Sequence, residues 1–260
     1  MTLTAFSAPA TPPDLLVDRL QQRAYAVVQP ADLAQLLTEH AAFPDALPAL
    51  NMLARGWSEL PPDLYLKDGG HYRRRRHACY TLQGHDLLPV PHRAHWQPVA
   101  YNALHGGMAR WFEPVLSAVA AQPVWQALLV AVGQVFTQTL ALQPAPLWYV
   151  EAHQFRIDTE GGIGRPTPEG AHRDGVDFVA VLLVGRHAIK GGETRVFEAD
   201  GPNGQRFTLA EPWTALLLDD ARVIHESTPI QPLSSLAGAH GWRDTLVLTY
   251  RRESFQGPLA

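Results

Sequence analysis

The sequence predicts a mainly β protein with additional α-helices: an antiparallel barrel or sandwich of the jelly-roll type, with N-terminal helices packed against it. Two observations support this fold class. After Leu147, short alternating or β-branched segments recur between turn residues, as in all-β sandwiches and barrels. The helical patterns precede these segments and do not alternate with them, which argues against a parallel βαβ sheet.

The chain has 260 residues, enough for one large domain. We expect residues 1–13 to form a flexible tail, because they are rich in Ala, Thr and Pro and lack the basic and apolar segments of a signal peptide. The remainder, 14–260, is predicted to be a single domain. Its helical part covers about 14–145, and its strand-rich core covers about 146–252.

Three segments of the N-terminal part have helical apolar spacing. Asp14 is a candidate N-cap of the first, Pro30 begins the second, and Val124–Leu140 is apolar with a period near 3.6 residues. Met108–Ala121 is also expected to be helical, although it contains Pro114. The near-continuous apolarity of Val124–Leu140 predicts that it packs across a sheet.

Strand patterns dominate the rest of the chain. Trp148–Ile157 is long and alternating, and Val176–Val184 is apolar and β-branched. Arg222–His225 reads as a short strand, and Arg243–Tyr250 as the last one. Several such strands with turns between them are typical of a closed antiparallel core.

Charge and composition exclude several classes of protein. The formal net charge is −4, so no global basic field attracts nucleic acid. The run Arg73–Arg76 is short and, as a strand, points alternate arginines to opposite faces, so Arg74 either enters a cleft or belongs to a solvated face. A single cysteine, Cys79, excludes an intramolecular disulfide framework, and no apolar run is long enough for a membrane span. We expect a cytoplasmic protein without nucleic-acid or membrane partners. A homodimer is left open.

A candidate metal site lies in the strand-rich part. His172 and Asp174 stand at i and i+2, and His225 follows on another predicted strand. Residues at i and i+2 of a strand share a face, and two His with one carboxylate form the facial triad of non-haem Fe(II) oxygenases. The pair alone is a weak signal, since the chain contains twelve His and a turn with exposed polar residues gives the same pattern.

The last predicted strand supplies an anion site. A facial triad leaves positions for a chelating 2-oxo acid and for dioxygen, and the distal carboxylate of such a cosubstrate needs a cation. Arg243 offers a planar fork for that carboxylate, and Thr245 offers a hydroxyl on the same face. Arg243 alone would suit a surface salt bridge, but with the triad an anchor is the better interpretation.

These residues resemble the iron(II)/2-oxoglutarate-dependent dioxygenases. The resemblance is strongest to a bacterial subfamily that contains free L-amino-acid hydroxylases, L-isoleucine 4-hydroxylase among them, and biofilm-stress-and-motility proteins. It covers about 100 residues at the C-terminus. The matching segments are His153–Arg156, Pro168–Gly175, Ile189–Thr194, His225–Pro229 and Arg243–Thr249. One departure is the loop from His225 to Arg243, which is longer than in the hydroxylases and bears on whether it is a substrate lid.

The resemblance implies a double-stranded β-helix core, a jelly-roll or cupin-like fold. It implies Fe(II) bound by His172, Asp174 and His225, with 2-oxoglutarate as cosubstrate and O2 as oxidant. The expected reaction hydroxylates a small metabolite, with a free L-amino acid as the expected class, and releases succinate and CO2.

Three further residues are candidates for ligand contact, two of them on the predicted strand Trp148–Ile157. Gln154 is a candidate cosubstrate contact, and Arg156 and Arg74 are candidate substrate contacts, although Arg156 could instead pair with a surface carboxylate. His153 lies on the opposite face and is expected to be structural. The alternative function is a non-oxidative, cupin-like metal and 2-oxo-acid binding protein or a sensor in stress or biofilm responses.

Overall fold

The computed structural model describes residues 8–234 and 240–258. Within these residues the α-helices α1 to α5 span Leu16–Arg23, Pro30–Ala41, Ala46–Leu53, Ser117–Ala120 and Pro123–Leu140. Two 3-10 helices span Pro13–Leu15 and Ala54–Trp57. The strands β1 to β12 span Tyr25–Val28, Arg73–Gln83, Asp86–Pro89, Leu147–Asp158, Phe178–His187, Ile189–Gly191, Thr194–Glu198, Gly204–Phe207, Ala215–Asp219, Val223–Ser227, Ile230–Pro232 and Trp242–Arg251.

A seven-stranded antiparallel sheet forms the centre of the molecule. Its strand order is β1-β9-β5-β12-β4-β2-β3. The long strand β4 pairs along its whole length with β2 on one side and β12 on the other. The last strand of the chain therefore lies in the middle of the sheet, next to the strand that the alternating Trp148–Ile157 pattern predicted.

Alternation along β4 and β12 gives this sheet one apolar face and one polar face. The face under the helices carries Trp148, Val150, Ala152, Leu246, Leu248 and Tyr250, all buried in one apolar cluster with α5. The opposite face lines a pocket and carries Tyr149, Glu151, His153, Phe155, Arg243, Thr245, Val247 and Thr249. A one-residue slip would exchange the two faces, so burial of the apolar side fixes which side chains reach the pocket.

Two smaller antiparallel sheets cover the polar face. One has the order β10-β7-β8 and the other pairs β11 with β6. An isolated bridge between His172 and His225 ties the loop before β5 to β10, and another joins Gly164 to Ile230. Antiparallel sheets enclosing a pocket confirm the predicted jelly-roll core with N-terminal helices on its outer face.

One predicted helix is wrong. Of Met108–Ala121, only Ser117–Ala120 is helical. The preceding residues are extended: Arg110 bridges His95, and Pro114 bridges His77. Pro114 has no N–H to donate and disfavours helical conformation in the residue before it, which explains why apolar spacing misled here.

The chain ends and the long loop are described in part. Of the predicted flexible tail 1–13, residues 1–7 lie outside the described residues. Thr11 donates its N–H to the carbonyl of Val27 at 2.8 Å, so this end of the segment is attached to β1. In the loop between His225 and Arg243, residues 235–239 lie outside the described part, and the question of a substrate lid falls there. Across the residues that the structure covers, no helix is long and apolar enough to span a membrane.

Candidate active site

His172, Asp174 and His225 converge at the polar face of the main sheet. The N–H groups of His172 and His225 donate to each other's carbonyl oxygens at 3.0 and 2.9 Å, which places the two imidazoles 4.7 Å apart. The Nε2 atoms of His172 and His225 lie 3.8 Å from Oδ1 and Oδ2 of Asp174, respectively. One ligand atom from each residue lies within 4.8 Å of the others, so a single metal ion can contact all three.

The hydrogen bonding and charge around these imidazoles suit a cation. Nδ1 of His172 lies 3.0 Å from the carbonyl oxygen of Gly170, which is satisfied when Nδ1 carries the proton and Nε2 keeps its lone pair. Burial opposes protonation of His172, but Asp174 and Glu169 raise its pKa above the usual value. Burial and the neighbouring His172 lower the pKa of His225 well below its usual value. A metal ion bound here would therefore meet the negative charge of Asp174 and Glu169 and the neutral imidazole of His225.

Asp220 holds the loop that presents Asp174. Its carboxylate accepts the backbone N–H groups of Asp174, Gly175 and Val176 at 3.0, 2.7 and 3.1 Å. Burial and repulsion from Asp174 raise the pKa of Asp220 to about 7. A cation bound by Asp174 would reduce that repulsion. A sequence feature that could have pointed to Asp220 is the pair of adjacent acidic residues, Asp219 and Asp220, where β9 ends.

Gln97 orients the carboxylate of Asp174 from the other side. Its Nε2 donates to Oδ1 of Asp174 at 3.1 Å. Its Oε1 accepts hydrogen bonds from Arg110 at 2.8 Å and from Asn102 at 3.1 Å. Because Arg110 has no acceptor, these contacts fix the amide with its nitrogen towards Asp174. The sequence did not point to Gln97, since its segment reads as a proline-rich loop.

Arg243 is a buried cation that pairs with no carboxylate among the described residues. Its side chain lines the pocket and is 3% exposed, and its Nε and Nη2 have no hydrogen-bond partner among the described residues. Burial and the neighbouring Arg186 lower its pKa to about 10, so it is still protonated at neutral pH. The adjacent acid, Asp244, faces away and pairs with Arg156. Thr245 lines the same pocket. An anionic ligand would satisfy Arg243.

Three residues predicted to contact ligands lie outside this pocket. Gln154 is fully buried on the opposite face of β4, where its Nε2 lies 3.4 Å from a backbone carbonyl. Arg156 bonds Asp244 at 2.8 and 2.7 Å. Arg74 lies 3.4 Å from the carboxylates of Asp158 and Glu160. The register of β2 with β4 turns these even-numbered residues away from the pocket.

A buried carboxylate surrounded by three histidines lines the pocket and was not predicted. Oε2 of Glu151 lies 3.1 Å from Nε2 of His77, 2.6 Å from Nδ1 of His95 and 3.3 Å from Nε2 of His153. Burial opposes ionisation of Glu151, but these histidines hold its pKa well below the usual range. Burial lowers the pKa of His95 to about 4 and that of His153 well below its usual value. Neutral imidazoles of His95 and His153 therefore face the carboxylate of Glu151, and His77 lies against the same oxygen.

The same four residues have ligand atoms close enough for a metal ion. Arg75 argues against that use. Its Nη2 lies 2.7 Å from Nδ1 of His153, and an arginine can only donate. Nδ1 must then accept, so the proton of the neutral ring is on Nε2, which is the atom that faces Glu151. A protonated Nε2 cannot bind a metal. The signal in the sequence was the polar pair Glu151 and His153 on one face of an otherwise apolar strand.

Comparison with known families identifies the chain. The family model described as 2OG-Fe dioxygenase matches residues 54–249. No curated protein matches the chain. A solved structure described as a bsmA homolog from Methylobium petroleophilum PM1 is 55% identical, with 97% of this chain and 98% of that chain covered and a TM-score of 0.87.

More distant structures share the fold. IDO from Bacillus thuringiensis is 17% identical, covering 93% of this chain and 99% of that chain, with a TM-score of 0.70. The Fe(II)/α-ketoglutarate-dependent dioxygenase TqaL is 21% identical, covering 92% and 86%, with a TM-score of 0.65. At these identities the two structures show the fold alone, whereas the family is shown by the model that matches most of the chain and by the 55% identical structure. The chain therefore belongs to the 2OG-Fe dioxygenase family and is an oxygenase that uses Fe(II), 2-oxoglutarate and O2.

Proposed function

We propose that this oxygenase hydroxylates a free L-amino acid, with release of succinate and CO2. One observation supports this proposal above the others. The triad of His172, Asp174 and His225 and the unpaired Arg243 line a single pocket, although they come from separate parts of the chain. A metal site by itself needs no buried cation, whereas an anionic cosubstrate bound at the metal does.

Each residue of the pocket has a proposed task. His172 and His225 through Nε2, and Asp174 through its carboxylate, would hold Fe(II) and leave positions open. Arg243 would bind the distal carboxylate of 2-oxoglutarate through its planar fork, and the Thr245 hydroxyl would donate to the same group. Bound iron and cosubstrate supply the oxidising chemistry, in which 2-oxoglutarate is decarboxylated and one oxygen atom is transferred to a C–H bond.

The protein contributes placement and exclusion of water. Asp220 accepts the backbone N–H of Asp174 and Gln97 donates to the Asp174 carboxylate, so this metal ligand is arranged before the ion binds. The main sheet and the two smaller sheets bury Arg243 and Thr245, which are 3% and 4% exposed. A site with little water strengthens the ion pair with the cosubstrate and protects the reaction from side reactions.

The charges of the pocket support a small zwitterionic substrate. Arg110 and Glu151 line it together with Arg243 and the triad, so both signs of charge remain after the cosubstrate is bound. The likeness to a bsmA homolog supports a cellular role connected with biofilm formation. That role concerns the organism and leaves the proposed chemistry unchanged.

An amino-acid panel tests the proposal directly. Purified protein with Fe(II), 2-oxoglutarate and O2 is incubated with each of the common L-amino acids, and succinate and oxygen gain in the amino acid are measured by mass spectrometry. We expect at least one amino acid to gain one oxygen atom per succinate formed. Binding of 2-oxoglutarate without turnover of any amino acid would favour the non-oxidative sensor instead.

Two variants assign the roles of the site residues. Under anaerobic Fe(II), His172→Ala is expected to lose both metal binding and the charge-transfer absorption of bound 2-oxoglutarate. Arg243→Met is expected to keep the metal and lose the cosubstrate. Arg195→Met is the matched control, because Arg195 pairs with Glu193 and Glu226 outside the pocket and should behave as wild type. Equal cosubstrate affinity in Arg243→Met and Arg195→Met would contradict the anchor.

A further inference from the structure

A second buried arginine of the pocket lacks an anion. Arg110 is 2% exposed and lines the pocket. Its Nη2 donates to Oε1 of Gln97, its Nε has no partner, and it forms no ion pair with any described carboxylate. Burial and repulsion from Arg73 lower its pKa to about 10, so it remains a cation at neutral pH. A desolvated guanidinium of this kind is stabilised by a carboxylate ligand.

A buried anion stands close to Arg110. His95 and Arg110 exchange backbone hydrogen bonds at 2.9 and 3.0 Å, so their side chains emerge as a cross-strand pair on one face. Nδ1 of His95 donates to Oε2 of Glu151 at 2.6 Å. All three histidine contacts fall on Oε2, and Oε1 of Glu151 accepts no hydrogen bond from any described residue. One imidazole therefore separates a cation from a carboxylate that has an oxygen free.

The same segment connects these charges to the metal site. Gln97 lies two residues after His95 and bonds both Arg110 and Asp174. A molecule held by Arg110 is therefore one side chain away from a ligand of the proposed iron site. The carbon skeleton of a substrate bound there would extend into the space in front of the triad.

We propose that Arg110 binds the carboxylate of the substrate and that Glu151 binds its ammonium group. This inference rests on the proposed function, because it names the residues that would recognise the amino acid. The carboxylate of Glu151 is kept ionised by the three histidines around it, His77, His95 and His153, so its negative charge is available to an ammonium group. Arg243 remains the anchor of the cosubstrate.

Binding to loaded protein tests the proposal without turnover. Wild type with Mn(II) and 2-oxoglutarate, held anaerobic, is titrated calorimetrically with the L-amino acids. The tightest ligand is then compared with its carboxamide, which lacks the carboxylate, and with its analogue lacking the amino group. The variants are Arg110→Met and Glu151→Gln. Arg76→Met is the control for the loss of an arginine, because Arg76 lies on β2 and outside the pocket.

The expected pattern is selective. Arg110→Met should weaken the amino acid about 10- to 100-fold, the value of one charge-assisted hydrogen-bonded pair, and leave its carboxamide within about threefold. Glu151→Gln should show the same loss for the amino acid but not for the analogue without the amino group. Affinity for 2-oxoglutarate should stay within about threefold of wild type in both variants, because in Arg110→Met the Nδ2 of Asn102 still donates to Oε1 of Gln97 and keeps its amide towards Asp174. If Arg110→Met fails to fold, Arg110→Lys replaces it, with a smaller loss expected because the planar fork is gone.

The outcomes separate this inference from the proposed function. Equal discrimination between acid and carboxamide in wild type and the Arg110 variant would overturn the inference while leaving amino-acid hydroxylation intact. Loss of 2-oxoglutarate binding in Arg110→Met would also overturn it, because Arg110 would then act through Gln97 on the metal site. Amino-acid binding with this selectivity but without succinate formation would support the inference and remove the hydroxylase function. Absence of binding by every amino acid would remove both.

Discussion

Asp220 provides a sharp test of how the metal ligands are held. Its carboxylate is 1% exposed and accepts three consecutive backbone N–H groups, those of Asp174, Gly175 and Val176. It is not itself a candidate metal ligand. Asp220→Asn conserves shape and removes the charge together with one acceptor, so it perturbs the loop that carries Asp174 without changing any group in the triad.

The contacts of each oxygen set the size of the effect. Oδ2 accepts the N–H groups of Gly175 and Val176 at 2.7 and 3.1 Å, and an amide oxygen can keep both bonds. The amide nitrogen then faces the N–H of Asp174, where Oδ1 accepted at 3.0 Å. One charge-assisted bond is lost and two donors oppose each other, at a cost of about 2–3 kcal/mol. If metal binding must restore the loop, affinity falls about 30- to 150-fold.

Anaerobic titration with Fe(II), or with Co(II) followed by its visible spectrum, measures this affinity, and thermal unfolding reports the stability of the metal-free protein. Asp219→Asn is the matched control. Asp219 is the adjacent carboxylate, lies 3.6 Å from Arg222 and does not contact the loop. We expect Asp219→Asn to bind metal as wild type does. Metal affinity in Asp220→Asn within about threefold of the control would refute the reasoning, because it would show that the triad is held without these bonds.

Three further predictions concern other parts of the molecule. Burial lowers the pKa of His95 to about 4. As the pH falls from about 6.5 to 4, the unfolded state therefore binds a proton that the folded state does not, and roughly 3 kcal/mol of the free energy of unfolding is lost over that window. His95→Asn keeps the donated hydrogen bond without titrating and should reduce the slope of urea-unfolding free energy against pH by about one proton; an unchanged slope would contradict this. Gly133→Ala should lower the melting temperature despite a gain in helix propensity, with a net loss of about 1 kcal/mol, since the new methyl group would meet the buried Leu82 and lie 3.1 Å from Tyr250; a higher melting temperature would count against the packing. Gln154→Met should leave the KM for 2-oxoglutarate within about twofold of wild type, because Gln154 lies outside the pocket; a large rise in KM would restore Gln154 as a cosubstrate contact.

Local sequence patterns were sufficient to predict the fold class and much of the extent of the long helices and strands. The alternation in Trp148–Ile157 separates a polar face from an apolar one, and the apolarity of Val124–Leu140 reflects burial on most of its sides; the apolar face of the strand and this helix belong to one cluster. The spacing of His172 and Asp174 is equally local, because a short extended segment presents i and i+2 together. These features need no knowledge of which strands pair.

The polar wall of the pocket depends on pairings that sequence spacing does not reveal. Arg110 reaches the pocket because its segment pairs with His95, whereas apolar spacing predicted a helix there. Gln97 reaches Asp174 from a proline-rich loop. Alternation divides the residues of β4 into two faces, but it does not tell which face lines the pocket. That depends on the helices, which pack on the opposite face.

That choice has a chemical consequence. The two faces of β4 each carry polar residues: Gln154 and Arg156 on one, Glu151 and His153 on the other. The set on the helix side is neutralised within the protein, since Arg156 pairs with Asp244. On the pocket side, Glu151 shares the cavity with Arg110 and Arg243, and within residues 8–234 and 240–258 neither arginine has an acidic partner and one oxygen of Glu151 stays free. Burying unpaired charges destabilises a fold unless a ligand completes them. Charged residues that form ion pairs within the sheet therefore stabilise the barrel, whereas the charged residues left unpaired on the pocket face are those that a charged ligand would complete.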